Sequence, residues 1–191
     1  MLASRSSARR AMLAAAGVPH MARTTGVDEE ALKASHRGDA RELARALARA
    51  KALGCEAGAE DIVIGADQVL ETGEGAVLSK PGSRAEAAAQ IEALAGRTHR
   101  LHSAAAAARA GDVAWQGLES AALTMRPLSR GFIARYVEAE YEAIRHSLGG
   151  YRIEGPGVQL FEKIEGSHFA ILGLPLIPLL GFLREEGALA S

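Results

Sequence analysis

The chain has 191 residues, 48% apolar and 24% charged, with 22 Lys and Arg against 23 Asp and Glu for a formal charge of -1. A chain of this length buries roughly 70% of its extended surface on folding, enough for one core without staples, so a single domain over residues 1–191 is expected. The even charge balance argues against a nucleic-acid coat.

Cys55 is the only cysteine, which excludes an internal disulfide and any CxxC metal site and points to a reducing, cytoplasmic address. A membrane span needs ~20 apolar residues. The nearest approach, Phe169 to Leu183, is shorter and broken by two prolines and two glycines. Arg5, Arg9 and Arg10 before the Ala-rich run Ala11 to Ala16 imitate a secretion signal, but the run is weakly apolar and ends in Gly17-Val18-Pro19. It reads as a helix from Ala8 to Ala16, capped by Ser6 or Ser7, with Gly17 as its left-handed exit.

A second helix starts at Gly38-Asp39 and ends near Gly54, with Leu43, Leu47 and Ala50 on one face and Arg41, Arg45 and Arg49 on another. Asp61 to Ala66 is a short β-branched run, the pattern of a strand buried on both faces, and its C-terminal end points at Asp67. A hairpin-like segment, Glu71 to Gly75, leads through Lys80-Pro81 to a helix from Arg84 to Ala95, stopped by Gly96. A strand follows from Thr98. The run Ala104 to Ala108 has helical preference, while its place before the Gly111-Asp112 turn suits a strand. Ser129 starts a helix through Ile133, Tyr136, Val137 and Ala143. Glycines then punctuate short strands such as Val158 to Ile164, and a helix from Leu176 to Arg184 closes the chain. Alternating strands and helices make an α/β domain without internal repeat.

Three features ask for more than packing. Arg9 and Arg10 stand in the first turn of a helix, where the macrodipole disfavours cations by about 0.3–1 kcal/mol each, a sign that a bound anion reverses. With the hydroxyls of Ser4, Ser6 and Ser7 they outline a phosphate cradle, the alternative being an exposed basic helix start. Asp67 ends a buried strand, where α/β sheets bind ligands. Lys51 borders the apolar face of the second helix and Lys80 precedes a proline; alone, each reads as a snorkelling surface lysine. No GxxxxGK[ST] loop, GxGxxG turn or serine-nucleophile elbow occurs. His99 and His102, three apart on a strand, face opposite sides and make no joint metal site.

Leu2-Ala3-Ser4-x-Ser6-x-x-Arg9-Arg10, Val27-Asp28-Glu29, Lys51 beside Ala50, Ile64-Gly65-Ala66-Asp67, Lys80-Pro81 and Gly173-Leu174-Pro175 together resemble the Maf family, collinearly from residue 2 to about 184. The resemblance implies an elongated, mixed, twisted sheet flanked by helices, Maf/ITPase-like, with a nucleotide cleft between two lobes. It implies a cytoplasmic nucleoside triphosphate pyrophosphatase in nucleotide house-cleaning, cutting between the α and β phosphates with Mg2+ or Mn2+. Asp67 takes the place of the family's general base and Glu29 that of a metal-holding carboxylate. Ser4, Ser6, Arg9, Arg10, Lys51 and Lys80 fall at substrate-binding positions. The substrate is thus the expected partner, with no nucleic acid or membrane, and a homodimer is the candidate assembly. A catalytically weak nucleotide-binding regulator of cell division on the same fold is the competing reading.

Two branches of the family can be compared. The dTTP/UTP branch typically carries Gly-Ala-Asp-Thr and Ile-Gln-Gly, whereas this chain has Gly65-Ala66-Asp67-Gln68 and Ile153-Glu154-Gly155. The chain is more similar to the 7-methyl-GTP branch, through Leu160-Phe161-Glu162-Lys163-Ile164-Glu165-Gly166 as well. In that reading Glu154 accepts from the N1–H and N2–H edge of guanine and favours the positive charge of a methylated base. Ala8 stands where that branch often has Trp, Ser7 replaces a usual proline, Ser79 a usual glycine and Ser147 a frequent lysine. The first strand, Met1-Leu2-Ala3, is shorter than usual, which suggests a start upstream of Met1.

Overall fold

Polar caps set most helix starts. In a computed structural model describing residues 1–190, β1 (Leu2–Ala3) runs into α1 (Ser7–Ala15), whose N-cap Ser6 accepts the Arg9 amide. Gly17 carries the chain out at φ +71°. After β2 (Ala22–Arg23) comes α2 (Glu29–Ser35), a helix absent from the sequence reading although its signals are ordinary. Asp28 caps it by accepting the Ala31 amide at 2.9 Å, Glu29 and Glu30 fill its first turn and Lys33 its last. α3 (Ala40–Leu53) opens on a reciprocal capping box between Asp39 and Glu42. Its buried face is Leu43, Ala44, Leu47, Ala48, Lys51 and Ala52, not Ala50 as expected, because the apolar stripe continues through the alanines adjacent to the leucines.

β3 (Val63–Glu71) is longer than the Asp61–Ala66 run that announces it. Asp67 is therefore mid-strand and not at a strand end; Val69 and Leu70 continue the buried pattern, and Leu70 and Glu71 pair antiparallel with Leu78 and Val77 of β4 (Val77–Leu78). What ends near Asp67 is β1, which pairs parallel with β3 only at Leu2↔Ile64 and Ala3↔Gly65.

α4 (Arg84–Leu94), capped by Ser83, precedes β5 (Thr98–Arg109), which includes the whole alanine run as buried strand. Tertiary context overrides propensity there. Ala110 and Gly111, both at positive φ, turn the chain into β6 (Asp112–Met125), and α5 (Arg130–Ile144) follows with Ser129 as N-cap. The expected strand Val158 to Ile164 is instead a 3-10 turn, Pro156–Leu160, followed by β7 (Phe161–Gly166). Pro156 presets a helical φ and offers no N–H to a ladder. α6 (His168–Ile171) and α7 (Leu176–Glu185) end the described chain. The architecture is the expected α/β one: a mixed seven-stranded sheet of order β2-β1-β3-β5-β6-β7, with β4 beside β3, flanked by helices. No helix among the described residues is long and apolar enough to cross a membrane.

The chain forms two compact units. The first takes residues 1–68, 102–120 and the chain from 167 onward; the second takes 69–101 and 121–166. In the first, Ile64 and Ala66 of β3 and Ala105 and Ala107 of β5 pack with Met12 and Leu13 of α1 and Leu176, Leu179, Phe182 and Leu183 of α7. The alternate face of β3 receives α3. In the second, α4 and α5 lie against each other, and Ile91, Leu94, Ile133, Val137 and Ile144 are buried.

Candidate active site

The period of two along β3 puts Gly65 and Asp67 on the face toward α3 and Gln68 on the other. At Gly65 a Cβ would stand 2.2 Å from the Ala48 carbonyl oxygen and 2.3 Å from the Ala52 nitrogen, so helix and strand backbones touch. That contact sets the depth of Lys51, the helical residue just before Ala52. Its ammonium donates to Asp67 Oδ1 at 2.6 Å and lies 2.9 Å from Glu29 Oε1. The Lys51 and Asp67 side chains retain only 10% and 11% of their exposure. Lys51 is thus no snorkelling surface lysine: its charge is turned inward between two carboxylates. Val27 packs at Gly54 just beyond α3, and the Asp28 cap then starts α2 with Glu29 directed at the ammonium.

Arg9 approaches the same cluster from α1. It is buried, donating through Nε to the Gly173 carbonyl at 2.7 Å, and through Nη1 to the Ala66 carbonyl at 2.8 Å and Ser4 Oγ at 3.4 Å. Burial pushes its pKa down, and the charges of Asp67 and Glu29 pull it back up. The Ala66 carbonyl lies one residue beyond the end of the β1 pairing. Ser4 and Ser6 each accept from the chain, Ser4 from the Ser6 amide and Ser6 from the Arg9 amide, which leaves both O–H groups able to donate outward.

The structure thus joins Ser4, Ser6, Arg9, Glu29, Lys51 and Asp67 in the first unit. Arg10, read from the sequence as Arg9's twin, is exposed on the same helix. Lys80 and Glu154 belong to the second unit, where both are exposed.

The sequence reading missed a network on the opposite face of β3. Gln68 Nε2 donates to the Ala170 and Ile171 carbonyls at 2.8 and 2.9 Å, and Ser103 Oγ donates to Ala170 O at 2.6 Å. These side chains satisfy the final carbonyls of α6, just before the Gly173 carbonyl that holds Arg9. Nothing local in the sequence marks the pair, which is 35 residues apart.

Among the described residues no group of three or more His, Cys, Asp and Glu is placed to hold a metal ion. Two carboxylates, Asp67 and Glu29, do converge on a single cation, the Lys51 ammonium. Such hard oxygen donors suit a small divalent ion that takes one or two protein carboxylates and completes its shell with phosphate oxygens and water.

Residues 1–186 match the family described as Maf-like protein. A nucleoside triphosphate pyrophosphatase of Caulobacter vibrioides is 48% identical over 191 residues, covering 98% of this chain and 96% of that protein. One of Sphingopyxis alaskensis is 47% identical, with the same coverage. A 7-methyl-GTP pyrophosphatase of Rhizobium johnstonii is 46% identical over 195 residues, covering 99% of this chain and 96% of that protein. With the family match over nearly its whole length and relatives this similar, the chain belongs to the Maf family.

Proposed function

We propose that this protein hydrolyses a nucleoside triphosphate between its α and β phosphates, releasing the monophosphate and pyrophosphate, with Asp67 orienting and deprotonating the attacking water. The observation that carries the reading is the charge cluster at the end of β1, where Lys51 is clamped between Asp67 and Glu29 and Arg9 reaches in from α1.

Asp67 Oδ1 is held by Lys51, which fixes the carboxylate plane, and no hydrogen bond among the described residues uses Oδ2. That second oxygen is left to accept a proton from an attacking water, the task of a general base. Arg9, fixed by two backbone carbonyls, keeps its Nη2 donors for a phosphate oxygen, and Ser4 and Ser6 add hydroxyls beside the start of α1. A triphosphate carries about four negative charges near neutral pH, more than Arg9 and Lys51 offset beside two carboxylates. Lys80 and Arg10 supply further positive charge, and Mg2+ or Mn2+, held by Glu29 and Asp67, would withdraw charge from the phosphates and polarise the scissile bond. For the base we propose a 7-methylguanine-type ring read by Glu154, whose carboxylate takes the N1–H and N2–H donors and favours the methylated base's charge.

Purified protein given a panel of GTP, 7-methyl-GTP, UTP and dTTP with Mg2+ or Mn2+ should release pyrophosphate and monophosphate, fastest from 7-methyl-GTP. Release of orthophosphate, or no turnover on any nucleotide, overturns the assignment. Faster turnover of UTP or dTTP overturns only the base preference. Lys80→Ala should slow all four nucleotides by a similar factor, since a phosphate contact carries no base information.

A further inference from the structure

The turn that carries Glu154 is tied to the interior of the second unit at both ends. At its start Tyr151 is buried, packs edge-on against Phe161 with ring centroids 4.8 Å apart, and shares a 2.7 Å hydrogen bond with Nε2 of His99, which is fully buried on β5. Gly149 and Gly150 precede it at φ +70° and +71°. A Cβ on Gly149 would meet Tyr151 Cε1 at 2.7 Å and Leu70 Cδ1 at 2.8 Å, so the backbone is pressed onto the ring. At its finish Gly157 faces Arg152: a Cβ there would stand 2.4 Å from the Arg152 carbonyl oxygen and 2.8 Å from the Tyr136 hydroxyl on α5. Between these anchors Ile153, Glu154 and Gly155 form the turn itself, with Glu154 exposed and in no hydrogen bond or ion pair among the described residues.

The two aromatic rings exceed what a surface turn needs. A buried phenol costs free energy unless it is hydrogen-bonded, and here its partner is a histidine whose other nitrogen, Nδ1, is buried without a partner. An apolar residue at each place would hold a loop without that penalty. What the polar pair adds is direction: a 2.7 Å hydrogen bond fixes how deep Tyr151 sits and how its ring is rotated, and with it where the backbone three residues later presents a side chain.

We propose that Tyr151, through its hydrogen bond to His99, is a positioning residue for base recognition that sets where Glu154 presents its carboxylate; this rests on the reading that Glu154 contacts the base. A carboxylate that must accept two donors side by side tolerates little displacement, whereas phosphate contacts made elsewhere are indifferent to it.

The test is a double-mutant cycle read as the ratio of kcat/KM for 7-methyl-GTP to that for UTP. Tyr151→Phe, which removes one hydroxyl, should lower the ratio by roughly three- to tenfold, the worth of one hydrogen bond, and leave kcat on UTP unchanged. In a Glu154→Gln background the same change should leave the ratio where Glu154→Gln alone put it. His99→Leu should behave like Tyr151→Phe, and His99→Gln, which keeps a polar group near the Nε2 position, should restore the ratio; this pair reads the same hydrogen bond if Tyr151→Phe does not fold. An unchanged ratio in Tyr151→Phe and His99→Leu, or an equal drop in both Glu154 backgrounds, overturns the role of Tyr151 while base reading by Glu154 stands. A ratio untouched by Glu154→Gln overturns the base reading and this inference with it.

Discussion

Gly65 of β3 and Ala52 of α3 meet backbone to backbone, with the place a Cβ would occupy on Gly65 only 2.3 Å from the Ala52 nitrogen and 2.9 Å from its Cα. Lys51 is the residue before Ala52 and Asp67 lies two beyond Gly65, so the contact that admits no side chain is the one that lets an ammonium reach a carboxylate at 2.6 Å. Gly65→Ala must push α3 off the strand. We expect a loss of about 1–3 kcal/mol or more from overpacking, with turnover falling further than the folded fraction does. Thermal unfolding and pyrophosphate release on the same preparation check both.

Asp67→Asn keeps the shape of the side chain and removes its basicity. The Lys51 ammonium retains Glu29 at 2.9 Å, so the fold should survive. Turnover should drop by about a hundred- to ten-thousand-fold. Near-normal pyrophosphate release from a folded Asp67→Asn protein would take the base role away from this residue.

Lys51→Ala differs, because it strands two carboxylates that the ammonium holds together, one of them buried. Removing one partner of a buried ion pair costs up to about 3–5 kcal/mol. The melting temperature should therefore fall, and activity per folded molecule should fall equally for every base. A shift in base preference would show that Lys51 does not act on phosphate.

Arg9 and Arg10 should part company under substitution. Arg9→Lys cannot make the paired bonds to the Gly173 and Ala66 carbonyls, which a rigid guanidinium spans from one side chain. We expect it to lower both stability and activity. Arg10→Lys, at an exposed position, should leave stability within about 0.5 kcal/mol and change only the handling of triphosphate. Unfolding by urea separates the two.

His99 gives the second unit a pH dependence of defined sign. Burial pushes its pKa down to about 4, so it stays neutral in the folded protein while the unfolded chain takes up a proton near the ordinary value of 6.5. Unfolding then binds protons between those values. Stability is full above about pH 6.5 and declines as pH falls toward about 4, by on the order of 3 kcal/mol from this one group. In His99→Gln the slope of unfolding free energy against pH across that window should shrink by the same amount, as equilibrium denaturation at several pH values would show.

Caps and breakers acting over a few residues were legible in the chain: Ser6, Asp39 and Ser129 cap the helices they announce, and Gly17 and Gly96 end theirs at positive φ. Arg9 and Asp67 also stood out as candidates from their places on a helix and a strand, whereas Lys51 by itself read as a surface lysine and Glu29 was marked only by the resemblance to the Maf family. Tertiary structure decided what spacing cannot carry. Whether Ala104 to Ala108 became helix or strand depended on its burial inside a sheet, because alanine's own preference is helical and weak. Two adjacent arginines look alike in sequence, yet one is fixed by carbonyls 57 and 164 residues away and the other is left exposed. Lys51 changed from a residue bordering an apolar face into the centre of the charge cluster because a glycine on another element let its helix come close enough. Local free energies act within a few residues and can be read along the chain; which charge ends up buried against which is set only when distant segments pack, and burial is what gives those charges their strength.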